Sequence, residues 1–220
     1  LFFSEVPRDV LRGLTLRGDA LIGVAVGTTD GGYTNAAVAL TPELKAKAYA
    51  KSHLVPFGEY APPGFAWFFR FARIPMSDFT AGPAHQDPLD IGSQRVAPNI
   101  CYEDLFGEEL LAALPAATLF VNLSNTAWFG DSLAQPQHLQ IAQLRAIETG
   151  RVMLRATNTG MTAMVGPDGA VAAALPPFTA AALLVQAQGR SGLTPYARWG
   201  NLLVLLIAAG ACLSAIRRKR

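Results

Sequence analysis

Cysteine is scarce in this chain and charge is sparse, and each shortage removes a class of function. Two cysteines in 220 residues, Cys101 and Cys212, cannot build a disulfide framework, and no His or Cys pair stands at zinc-ligand spacing. Charged residues make up 15% of the chain, and four of its 18 cations are the terminal Arg217, Arg218, Lys219 and Arg220, leaving a mildly acidic body. No Lys/Arg cluster is interleaved with aromatics, so nucleic acid is not an expected partner. The start, Leu-Phe-Phe-Ser-Glu5, has neither an initiator Met nor a charged segment ahead of an apolar core. It is not a signal peptide and reads as the start of a C-terminal fragment.

What the chain has in quantity is apolar surface. Hydrophobic residues reach 51% and mean hydropathy is +0.27, enough for one sizeable core with some membrane-embedded surface. Val96 to Ile100 reads as the end of a buried strand, and Leu105 to Leu114 has apolar residues at helical spacing, which predicts a helix there. Cys101 then sits on a strand-to-helix turn. A thiol there meets the positive end of the helix dipole, which favours the thiolate. Taken alone, an isolated cysteine is more often a small buried hydrophobe than a nucleophile.

Other segments predict the frame. Leu21 to Val26 is a strand, and Ala36, Val38 and Leu40 form a hairpin with Ala46, Ala48 and Ala50. Thr118 to Leu123 is another buried strand, ending in Ser124-Asn-Thr-Ala-Trp-Phe-Gly130. Polar groups at a strand's C-terminal end are where open α/β folds build sites. Pro136 to Thr149 predicts a helix with Ile141, Leu144 and Ile147 on its apolar stripe, and Arg145 pairs with Glu148. Val152 to Ala156, Met161 to Val165 and Ala170 to Ala174 are strands, the last two joined by a tight turn at Gly166-Pro-Asp-Gly169. Strands alternating with helices predict a layered α/β domain.

Lys51 opens Lys-Ser-His-Leu-Val-Pro-Phe-Gly-Glu59, a Pro- and Gly-interrupted stretch that by itself reads as a solvated, salt-bridged loop, with His53 a polar loop residue. Between Ala61 and Phe79, Phe65, Trp67, Phe68, Phe69 and Phe71 crowd a Pro-bounded segment suited to a lid at a membrane interface. Leu202 to Ile216 carries no charge and ends in Arg-Arg-Lys-Arg220, with Tyr196 and Trp199 at its other end. This pattern predicts a membrane span with its C-terminus in the cytoplasm and the body on the outer side. Residues 1–190 are the expected catalytic domain and 191–220 the membrane helix with its basic tail.

Glu5, Lys51 and Cys101 (within Asn-Ile-Cys-Tyr-Glu103) come in the order of the Glu-Lys-Cys triad of the nitrilase, or carbon-nitrogen hydrolase, superfamily. Within it, the chain resembles the apolipoprotein N-acyltransferase family. Leu54-Val-Pro-Phe-Gly-Glu-Tyr60, Ser124 to Gly130, Gln137 to Glu148, Arg155-Ala-Thr-Asn-Thr-Gly160 and the final helix carry the likeness. One departure is that Ser4-Glu5-Val6-Pro7 stands where that family usually has Pro-Glu-Ser/Thr. The resemblance implies an α/β fold, a nitrilase-like αββα sandwich followed by one C-terminal transmembrane helix, in a monomer of the bacterial inner membrane with the catalytic domain periplasmic.

It also implies an activity. Cys101 attacks an acyl ester of a membrane phospholipid, and the resulting thioester passes its acyl chain to the N-terminal amine of a diacylglyceryl-cysteine lipoprotein precursor. Glu5 is the general base toward the thiol and later the amine, and Lys51 stabilises the oxyanion. Glu59 and Glu103 orient Lys51 and the incoming amine. Tyr102 and Trp128 line the acyl or headgroup pocket. The lipid bilayer is a partner, and no metal or nucleotide cofactor is implied. The alternatives are a nitrilase-type amidase acting on a small carbon-nitrogen substrate, which has no use for the tail, and a non-catalytic anchored binding module.

Overall fold

The computed structural model describes residues 8–62, 64 and 78–218. Glu5 and the aromatic run Phe65 to Phe71 lie outside the described residues. A short helix, α1 (Arg8–Thr15), leads into β1 (Ala20–Gly27), β2 (Tyr33–Leu40) and β3 (Ala46–Ala50), which form an antiparallel sheet in that order. The predicted hairpin is β2–β3, with Ala36 opposite Ala50 and Leu40 opposite Ala46. Its central strand is covered on both faces, so Ala36 to Leu40 are all buried.

A second sheet of six strands runs β4 (Leu89–Ile91), β5 (Gln94–Ile100), β6 (Leu119–Ser124), β7 (Met153–Thr157), β8 (Ala163–Val165) and β9 (Val171–Ala174). Its middle, β5–β6–β7, is parallel. Parallel strands need both faces covered, and alternation along these three assigns each face a partner. Val96, Leu119, Val152 and Leu154 join Leu21 and Ile91 in one apolar cluster, and β1 and β2 pack against β6 and β5. Ala97, Phe120 and Met153 point the other way, onto α3 (Ala134–Thr149), which follows the single turn α2 (Gly107–Leu110). Helix, sheet and sheet thus stack as layers around two apolar clusters, the predicted layered α/β arrangement.

Two predicted elements differ. The continuous helix over Leu105 to Leu114 is instead a 3-10 turn, Cys101–Leu105, the turn α2, and a second 3-10 turn, Leu111–Ala113. The run breaks at Phe106, whose φ of −101° and ψ of 81° are not helical, and Gly107 opens the next turn against α3, where a Cβ would lie 2.7 Å from both Arg145 Nη1 and Glu148 Oε2. On α3 the buried positions are Gln135, His138, Leu139, Ala142, Ala146 and Thr149, whereas Leu144 and Ile147 are half exposed. Small alanines at the contact let the helix sit close to the sheet. That fit leaves no space for the predicted Ile141-Leu144-Ile147 stripe, since overpacking a core costs about 1–3 kcal/mol.

After α4 (Pro195–Trp199), which packs on α3, the chain ends in α5 (Leu202–Arg218). Its 17 residues span about 26 Å at 1.5 Å per residue. Its described side chains, from Leu202 to Arg217, are exposed, Cys212 included. Among the described residues no helix is long and apolar enough to cross a membrane.

Candidate active site

The parallel strands β5, β6 and β7 end at one edge, and their helix-facing positions there are polar: Asn99, Asn122, Ser124 and Arg155 are all buried. The chain leaves β5 at Cys101, whose φ of 51° is a left-handed backbone conformation that costs a non-glycine residue about 1–2 kcal/mol. Neighbouring groups hold it there. Ile100 N–H donates to Glu103 Oε2 at 2.7 Å, and Asn122 Nδ2 donates to the Cys101 carbonyl at 3.2 Å. Asn122 is itself fixed, donating to Asn99 Oδ1 at 2.6 Å and accepting from Ser124 Oγ at 2.6 Å. The result is a half-buried thiol displaced from the strand line on a sharp turn, the predicted strand-to-helix position.

Its ionisation differs from the expectation. Burial pushes the Cys101 thiol above its ordinary pKa, the Lys51 cation pulls it back, and Asp104 and Glu59 reinforce the rise. A five-residue 3-10 turn supplies little of the dipole that a long helix would. The surroundings of the sulfur thus favour the thiol over the thiolate.

Lys51 follows β3 and is 1% exposed, which overturns the solvated-loop reading of its segment. Its Nζ donates to Glu59 Oε2 at 2.7 Å. Glu59 also accepts from Val55 N–H and from Asn35 Nδ2, each at 2.8 Å, so the carboxylate is clasped by its own loop and by β2. The Pro56–Gly58 bend exists to bring it back onto the lysine. An ammonium so deeply buried is stable only because this carboxylate compensates it.

Glu103 has a different setting from the one expected. It is 2% exposed, and Oε1 accepts from Tyr49 Oη, from the hydroxyl and N–H of Ser52, and from His53 N–H. With Oε2 on Ile100, it is spent tying the Lys51 loop to the Cys101 turn. Tyr102 packs beside His53, ring centroids 5.5 Å apart. An open cleft of about 430 Å³ is lined by Ser52, His53, Leu54, Tyr60, Phe79 and Ala81. Trp128, on the turn after β6, is 81% exposed and lines neither this cleft nor the small cavity behind Glu103.

A buried polar group behind the turn was not foreseen. Asp104, fully buried, accepts from Arg155 Nη1 at 2.8 Å, with His138 Nδ1 3.5 Å from the same oxygen. Nothing beside Asp104 in the sequence marks it, and only the fold brings α3 and β7 to it. Arg145 and Glu148 pair on α3 as predicted, at 2.8 Å. Among the described residues no group of His, Cys, Asp or Glu is arranged to hold a metal.

A family profile described as carbon-nitrogen hydrolase matches residues 17–196. The chain is 48% identical over its whole length to a protein of Nitrosomonas europaea named apolipoprotein N-acyltransferase, covering 47% of it. It is 50% identical over 98% of its length to a protein of the same name from Chromobacterium violaceum, covering 43% of that one. The chain thus spans less than half the length of these relatives. Among solved structures, an amidase of the nitrilase superfamily from Nesterenkonia sp. AN1 is similar in fold, with a TM-score of 0.58 at 22% identity over 77% of this chain and 63% of that one. A carbon-nitrogen hydrolase from Helicobacter pylori G27 is similar at a TM-score of 0.56 and 19% identity, over 71% of this chain and 58% of that one.

Proposed function

The chain belongs to the carbon-nitrogen hydrolase family, and on that premise we propose that it carries the catalytic body of a lipoprotein N-acyltransferase, with residues 1–190 as that body and 191–220 as its membrane segment. Cys101 is the nucleophile, Lys51 the oxyanion partner and Glu5 the base. The observation that carries this reading is the buried Lys51, held by Glu59 and acting electrostatically on the Cys101 thiol. Such a cation compensates the charge that grows on a carbonyl oxygen during attack by sulfur. Glu5 takes the thiol proton as sulfur attacks the acyl ester of a membrane phospholipid, and returns it to the departing glycerol oxygen. This leaves an acyl thioester on Cys101 and a lysophospholipid. The N-terminal amine of a diacylglyceryl-cysteine lipoprotein precursor then takes the acyl chain.

Transfer rather than hydrolysis is supported by the similarity to the two named relatives, which runs through α5, an exposed apolar element that a soluble amidase does not need. In this reading α5, too short by itself to cross a bilayer, does so together with the residues from Trp199 onward, and with the aromatics Phe65 to Phe71 it seats the body at the outer face of the bacterial inner membrane, with Arg217 to Arg220 on the cytoplasmic side. Tyr102 and Trp128 line the acyl or headgroup pocket, and Glu59 and Glu103 hold the site in shape. The experiment is mass spectrometry of the protein after exposure to phosphatidylethanolamine vesicles. An acyl mass on Cys101, absent from Cys101→Ala and discharged by a diacylglyceryl-cysteine peptide, is the expected result. Turnover of small soluble amides without thioester formation from lipid would favour the amidase instead.

A further inference from the structure

His53 is fixed on every side but one. Its backbone N–H donates to Glu103 Oε1 at 3.2 Å, and its ring stacks on Phe106 with centroids 3.7 Å apart and 14° between planes. Tyr102, the residue after the nucleophile, meets the ring edge-on. Nδ1 lies 2.8 and 3.1 Å from the two oxygens of Glu109. A carboxylate only accepts, so Nδ1 carries the hydrogen and the lone pair of a neutral ring sits on Nε2. No hydrogen bond to Nε2 occurs among the described residues, and the residue lines the 430 Å³ cleft. A carboxylate that fixes the tautomer and orientation of an imidazole is how a histidine is prepared to accept a proton.

We propose that the His53–Glu109 pair is a second base of the site, which takes a proton from the ammonium form of the incoming acceptor. The proposal rests on the acyl-transfer reading above. An α-amino group is mostly protonated at neutral pH and cannot attack in that form. Conversion of an ammonium into a secondary amide releases two protons. His53 Nε2 accepts the first, leaving a neutral amine whose nitrogen attacks the thioester carbonyl. Glu5 accepts the second as the C–N bond forms and the C–S bond breaks, then passes it to the departing Cys101 sulfur. Glu5 and the thiol are thereby restored, and the imidazolium loses its proton to water through the open cleft. The other ionisable groups around the ring are Glu103 and Tyr49 behind it, Tyr102 at its edge, Tyr60 across the cleft and the Lys51–Glu59 pair two residues away.

The test separates the two half-reactions in the protein reconstituted in phosphatidylethanolamine vesicles, with a diacylglyceryl-cysteine peptide as acceptor. In His53→Gln the ratio of the aminolysis rate to the thioester-formation rate should fall about ten-fold at pH 7, where roughly one amine in ten is neutral in water. The deficit should close as the pH approaches 9, because the acceptor then arrives already neutral. Glu109→Gln, which leaves the histidine in place, should show a smaller deficit with the same pH dependence. Equal slowing of both half-reactions, or a deficit independent of pH, would overturn the assignment and return His53 to a packing role. Absence of any thioester in the wild-type protein would instead remove the acyl-transfer reading, and this inference with it.

Discussion

At Cys101 two opposed effects meet, and their balance decides what the residue can do. Burial and the nearby Asp104 and Glu59 carboxylates raise the thiol's pKa, and Lys51 is the main group that lowers it. Replacing Lys51 by Met removes that cation, so the thiol pKa rises further and less thiolate exists at any pH below it. The alkylation rate of Cys101 by iodoacetamide, followed against pH, should shift to higher pH in Lys51→Met. Acyl transfer should fall by about 10²–10³, the usual effect of losing an oxyanion partner. An unshifted alkylation curve would mean that the lysine does not act on the sulfur. Lys51, Glu59 and Cys101 were singled out through the family resemblance, since by themselves the lysine segment reads as a solvated loop and the cysteine as a buried hydrophobe. Asn122 and Asp104 were not, because each is defined by partners 21 to 51 residues away, and Arg155, although it opens a motif, gave no sign that its partner is Asp104.

Among the elements, strands were easier to read than helices, for a physical reason. A buried strand needs only a short apolar run, and β1, β2, β5, β6 and β7 supply it. The helix faces depended on what they pack against: α3 turns its alanines inward because closeness to the sheet outweighs side-chain bulk, which apolar periodicity alone does not reveal. The helix after Cys101 was misread because Phe106 leaves helical geometry, which apolar spacing does not signal, before Gly107 packs against Arg145 and Glu148 of α3. Gly82 has a similar role for β3. A Cβ there would lie 2.4 Å from the Ala50 carbonyl oxygen and 2.6 Å from the Ala50 Cβ, while its N–H donates to the Lys51 carbonyl at 2.8 Å. Gly82→Ala should therefore push the end of β3 away and carry Lys51 with it. A loss of about 1–3 kcal/mol in a denaturant titration is expected, and Cys101 alkylation should move in the direction of Lys51→Met. Full stability with an unchanged alkylation curve would show that this strand end is not what positions the lysine.

For the molecule as a whole, the proposed orientation follows from α5 and its basic end. Moving several cations across hydrocarbon is unfavourable by several kcal/mol, which favours Arg217 to Arg220 on the cytoplasmic side. A reporter active only outside the cytoplasm, placed in the Gly166–Gly169 turn between β8 and β9, should be active, and one fused after Arg220 silent. The reverse pattern would put the site in the cytoplasm and disfavour transfer to exported precursors. One buried side chain also has a bearing on how the two sheets breathe. Glu103 accepts from Tyr49 of β3, from the backbone of Ser52 and His53, and from Ile100 at the end of β5, so no single partner can leave without exposing a carboxylate that the rest still hold. The amide protons of Ser52 and His53 on one segment and of Ile100 on another should therefore be released by one shared opening event. Cooperative units of this kind exchange with solvent together, so hydrogen exchange should show the Cys101 turn and the Lys51 loop opening as one unit.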